Sequence, residues 1–123
     1  MTDWRAACND AGMVVRGAEV TVDLPDGRRH RVSVDELDDG IRLTGRIATR
    51  GAIERLDSPE LVIWLRNRTV PLVGFHFDKH GSLVGEARAP RVGLDADELC
   101  FYVRTVAAEC DRLEALLTGE DVE

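Results

Sequence analysis

The sequence predicts an α+β domain, an antiparallel sheet with helices packed on one face, in the order α-β-β-β-α-β-β-α. Three observations carry this. Residues 19–34 hold two runs of alternating polar and apolar residues about a Pro-Asp-Gly turn. Residues 69–89 hold a second pair of runs about Asp78-Lys79-His80-Gly81. The C-terminal segment carries apolar residues at helical spacing behind an acidic capping sequence.

The elements follow in order. Met1 to Ala11 suits a short helix with Trp4, Ala7 and Cys8 or Ala11 on one face, ended by Gly12. Glu19 to Leu24 alternates as a strand, and Pro25-Asp26-Gly27-Arg28 supplies the reversal, Pro presetting one dihedral and Asp-Gly closing the turn. Arg29 to Val34 alternates again, with His30, Val32 and Val34 on one side and Arg29, Arg31 and Ser33 on the other. Asp38-Asp39-Gly40 turns the chain into a third strand, Ile41 to Ala48, where Gly45 could mark a bulge. Residues 49–57 give no clear pattern.

Ser58-Pro59 reads as a helix start, Ser as N-cap and Pro at the first position, and the helix runs from Glu60 to Asn67, where Asn can close it. Thr69 to Phe77 and Ser82 to Ala89 are the last two strands. Asp95 then caps a long helix, with Glu98 completing the capping box. On it Leu99, Val103, Val106, Cys110, Leu113 and Leu117 fall within about 40° of one line. Gly119 stops that helix, and residues 119–123 are expected to fray.

Composition narrows the function classes. A chain of 123 residues is enough for one domain, 1–123, with a core of its own. Acids number 23 against 16 basic residues, a net charge of −7. The region from Asp95 onward holds nine acids against Arg104 and Arg112, so the acidity is concentrated in the C-terminal segment. Direct binding to nucleic acid or to an anionic membrane needs a cationic footprint, and neither is expected here. The longest apolar run, Leu61 to Leu65, is far short of a bilayer span, and no leader-like segment opens the chain, which suggests a cytoplasmic protein. Three cysteines, Cys8, Cys100 and Cys110, make neither an even disulfide framework nor a paired metal motif, and are expected to be reduced.

A stretch of the chain resembles a known family. A helix ends in Asn67-Arg68, and Leu72-Val73-Gly74-Phe75-His76-Phe77-Asp78 follows as a strand. A Gly turn leads to the return strand Leu83-Val84-Gly85-Glu86-Ala87. Then come Val92-Gly93-Leu94-Asp95-Ala96-Asp97-Glu98-Leu99 and a helix carrying Val106 to Leu113. This pattern, and the order of elements over the whole chain, resembles the class I type III secretion chaperones and the YbjN-like family. The first helix is shorter than is usual there. The resemblance implies a non-enzymatic protein, commonly a homodimer, that holds a segment of a protein partner. It brings no catalytic residue across.

The residues themselves agree that no enzyme is indicated. Ser33, Ser58 and Ser82 lack a Gly-x-Ser-x-Gly setting, the glycines form no phosphate loop, and no cofactor is expected. Leu61 to Leu65 would be apolar nearly all round as a helix, so one side can pack on the sheet while Leu61, Trp64 and Leu65 meet a partner or a second copy; the alternative is a helix covered by its own domain. Phe101 falls about 200° from the core stripe of the last helix, an outward aromatic suited to a further contact. A different class, a small-ligand or metal-binding domain, would use His76 and His80 with Asp78 between them; the same three residues also suit an exposed hairpin turn.

Overall fold

The computed structural model describes residues 3–10 and 12–118. Each reversal marked in the sequence is a reversal in the structure. Between strands β2 (Glu19–Asp23) and β3 (Arg29–Glu36), Leu24 N–H donates to the Arg28 carbonyl and Asp26 Oδ1 accepts from Arg28 N–H. Gly27 there holds φ 88°, a conformation that costs glycine little. Between β5 (Gly74–Phe77) and β6 (Leu83–Pro90), Asp78 Oδ1 accepts from the backbone N–H groups of His80 and Ser82.

With β4 (Gly40–Ala48) these strands form an antiparallel sheet, and β1 (Met13–Arg16) adds a sixth strand, giving the order β1-β2-β3-β4-β6-β5. The α+β class, the antiparallel pairing and the expected elements in their order are all present. Two short elements were not legible, β1 and the single-turn helix α2 (Arg50–Ile53). Strand β1 spans four residues and buries only Met13, so no alternation announces it. Helix α2 is capped by Thr49, whose Oγ1 accepts from Ala52 N–H at 3.3 Å.

Helix α1 (Trp4–Cys8) is capped by Asp3 and buries Trp4 and Cys8; the expected ends at Met1 and Ala11 lie outside the described residues. Helix α4 (Ala96–Thr118) starts where Asp95 Oδ1 accepts from Glu98 N–H at 2.8 Å. Its stripe of Leu99, Val103, Val106, Cys110 and Leu113 is fully buried, each large aliphatic side chain contributing roughly 1.5–3 kcal/mol. The expected stop at Gly119 and the fraying of 119–123 lie outside the described residues. The stripe packs on Val32, Val34, Ile41, Leu43, Leu83 and Ala87, one face of the sheet. On the opposite face, Arg16, Arg31, Arg46 and Arg88 point to solvent.

Three local expectations change. Gly45 is no bulge: it pairs in register with Gly85, and the register shift falls between Arg46 and Ala48. Its role is close approach, because a Cβ there would sit 2.9 Å from Cys110 Sγ, and one on Gly85 would sit 2.5 Å away. Ser58 does not cap through its side chain; it takes a left-handed conformation, φ 48°, and helix α3 (Pro59–Thr69) begins at the proline. That helix runs two residues past Asn67, so the next strand opens at Gly74 and not at Thr69. Pro71, without an N–H, and Leu72, at φ 76°, break the chain between them.

Candidate functional site

Helix α3 turns only a narrow side to the protein. Pro59 and Ile63 are buried and Val62 is partly so. Leu61 is 58% exposed, Trp64 53% and Leu65 48%. Residues three and four apart share a helix face, so these three form one apolar strip running toward Arg68. The Arg68 guanidinium covers part of the indole, 4.7 Å from the ring centroid.

Polar contacts hold the helix in place where apolar ones are few. Arg66 meets Glu109 of α4 at 2.7 Å, both side chains mostly shielded from water. Asn67 reaches β5 with both ends of its amide: Nδ2 donates to the Phe75 carbonyl at 2.9 Å, and Oδ1 accepts from Phe75 N–H at 2.7 Å. The apolar strip is thus presented by a fixed helix.

Phe101, on α4, is 61% exposed and meets Tyr102 edge-on, with centroids 6.4 Å apart. It lies eight residues, about 12 Å along the axis, before the Glu109 that ties α4 to α3. The structure therefore places the four predicted contact residues on two helices, with Leu61, Trp64 and Leu65 together and Phe101 apart.

His76, Asp78 and His80 are not brought together as a ligand set. The His76 ring donates to Glu86 at 3.1 Å, Asp78 holds the turn amides, and both imidazoles lie on exposed residues. Burial acts to raise the Glu86 carboxyl, but the hydrogen bonds from His76 and Arg88 outweigh it and hold it below the usual range. Backbone hydrogen bonds from Ser82 and His80 outweigh desolvation and lower Asp78 in the same way.

A different group does converge. His30 of β3, with Asp111 and Glu114 of α4, brings one ligand atom from each within 4.8 Å of one another, and it is the group found among the described residues. His30 was legible only as an inward strand position. The available signal was Asp111, an acid directly after the stripe residue Cys110 and itself buried. Burial pulls the His30 pKa below its ordinary 6.5, against the opposing effects of its bond to the Arg46 carbonyl and the Asp111 charge.

No protein-family model matches the chain, and no curated protein matches it by sequence. Solved structures do. A chain of the heterodimeric ExoU–SpcU complex from the type III secretion system of Pseudomonas aeruginosa superimposes with a TM-score of 0.62 at 17% identity, covering 94% of this chain and 98% of that one. A chain of the HopA1–SchA chaperone–effector complex gives 0.55 at 15% identity, covering 79% and 75%. The type III secretion chaperone structure of SycH from Yersinia pestis, in complex with a stable fragment of YscM2, gives 0.53 at 10% identity, covering 90% and 99%. The chain shares the fold of these type III secretion complexes. No helix among the described residues is long and apolar enough to cross a membrane.

Proposed function

We propose that this chain is a non-enzymatic, chaperone-like protein that works as a homodimer in the cytoplasm and holds a segment of a protein partner. The observation that carries the reading is the strip of Leu61, Trp64 and Leu65, about half exposed on a helix fixed by Arg66 and Asn67. A fixed apolar strip centred on Trp is the composition of an interface anchor, and a helix kept only for the core would turn these residues inward. Phe101 serves as a second contact on α4. The likeness to chains from a chaperone–effector complex supports a protein partner over a small ligand. A YbjN-like assignment rests on the residue pattern from Asn67-Arg68 through Leu72 to Leu99 and Val106 to Leu113, and on the order of elements.

The test is mass in solution. The wild-type chain should run at twice 13.6 kDa by light scattering across a dilution series. Trp64→Ala should cost about 2 kcal/mol of association, roughly a thirtyfold rise in Kd, and move the chain toward monomer while its circular dichroism stays unchanged. A wild-type monomer, or a folded Trp64→Ala variant of unchanged mass, would overturn the homodimer reading. The small-ligand alternative at His76 and His80 has the weaker support, since both lie on exposed residues of a turn.

A further inference from the structure

The groove between β3 and the C-terminal half of α4 holds chemistry that neither dimerisation nor partner binding uses. His30 is 92% buried there, on the helix-facing side of the sheet. Its Nε2 lies 2.8 Å from the Arg46 carbonyl oxygen. A carbonyl only accepts, so Nε2 carries the proton and Nδ1 is left as a lone pair. That lone pair faces Glu114 Oε1 at 4.0 Å, with the buried Asp111 carboxylate completing the group.

Three electron-pair donors thus converge, and without a positive charge at their centre they repel one another. Arg28 answers part of this, bonding Asp111 Oδ2 at 2.7 Å while it is shared with Asp26 at 3.0 Å. The 4.0 Å gap between Nδ1 and Oε1 is too long for a hydrogen bond. That gap, and the 4.8 Å within which all three ligand atoms lie, is wider than the roughly 3.4 Å between ligands of a tetrahedral ion with bonds of about 2.0–2.1 Å. Glu114, 40% exposed, can close the difference by a small side-chain rotation. Asp111 and Glu114 are three apart on α4 and so share a face. A backbone carbonyl holding the far nitrogen is the usual second partner of a metal-binding imidazole, because it fixes both tautomer and ring orientation.

We infer that His30, through Nδ1, together with Asp111 and Glu114 forms a site for one transition-metal dication of the zinc class, which staples α4 to β3. An imidazole beside two carboxylates favours such an ion over magnesium or calcium, which take oxygen donors. Water fills the remaining coordination positions from the open side at Glu114.

The experiment uses the full chain, freed of metal by chelator and dialysis. Zinc should bind saturably at one equivalent by calorimetry and raise the melting temperature, and magnesium at the same concentration should do neither. Glu114→Gln should bind zinc roughly tenfold more weakly or worse, while melting like the wild type in chelator. His30→Asn should lose binding, and Glu114→Gln keeps the test open if that buried variant does not fold. A variant carrying both His76→Ala and His80→Ala should bind like the wild type. Cobalt should give d–d absorption without a thiolate charge-transfer band. Absence of saturable zinc binding would overturn the site, as would binding indifferent to Glu114→Gln, binding lost with His76 and His80, or a thiolate band.

Discussion

Asn67 does with a side-chain amide what a neighbouring strand does with its backbone. Its two bonds satisfy both the N–H and the C=O of Phe75 on the outer side of β5. Replacing it with Ala leaves both groups without that partner, and Asn67→Ala should destabilise the protein by about 1–3 kcal/mol in urea unfolding. The sequence suggested Asn67 as the end of its helix, but the helix runs on to Thr69, and the amide reaches Phe75, eight residues on beyond a bend. All three cysteines are free thiols and buried. Burial pushes the Cys8 and Cys110 thiols up to about 12. Alkylation at pH 8 should therefore be slow until denaturant is added. The unfolded thiol titrates near 9.0 and the folded one near 12, so folding holds a proton that the unfolded chain gives up between them. The contribution is complete below pH 9 and lost as pH rises toward 12, and a pH series of unfolding midpoints checks the sign.

At the scale of elements, the close fit of α4 to the sheet rests on a pair of glycines. Gly45 and Gly85 face each other across β4 and β6, and Cys110 Sγ sits over both. Gly85→Ala puts a methyl 2.5 Å from that sulfur and should cost about 1–3 kcal/mol in thermal or urea unfolding. Cys110→Ala in the same chain should return part of the loss, because the two sites share one contact. The strands with alternation, the capped α4 and the turns at Pro25 and Gly81 were legible because each is set by residues close in sequence. Strand β1 and helix α2 were not, since β1 is held in place by the hairpin to β2 and α2 is a single capped turn. Gly45 showed that it mattered but not how; a bulge and a close approach leave the same mark in a sequence.

For the whole molecule, the fold class could be read from the chain because hydrophobic period and turn residues specify layers. The apolar strip of α3 was visible as a run, Leu61 to Leu65, and the structure adds which of those side chains remain outside. The His30 group was not visible, because its members lie some eighty residues apart and only the packing of α4 on β3 brings them together. If α3 joins two copies, folding and association are linked. The melting temperature should then rise with protein concentration for the wild type and not for Trp64→Ala, as differential scanning fluorimetry over a hundredfold dilution would show.

The amide of Asn67 also decides how far such a molecule can assemble. A sheet has two edges, and open-ended growth of strand upon strand needs both. Both edge strands are four residues long, but the β5 edge is occupied at Phe75 by its own helix, which leaves β1 as the edge open to a visiting strand. A chain with one usable edge accepts one strand and stops. Fibres built by sheet extension would then lack a second end from which to propagate.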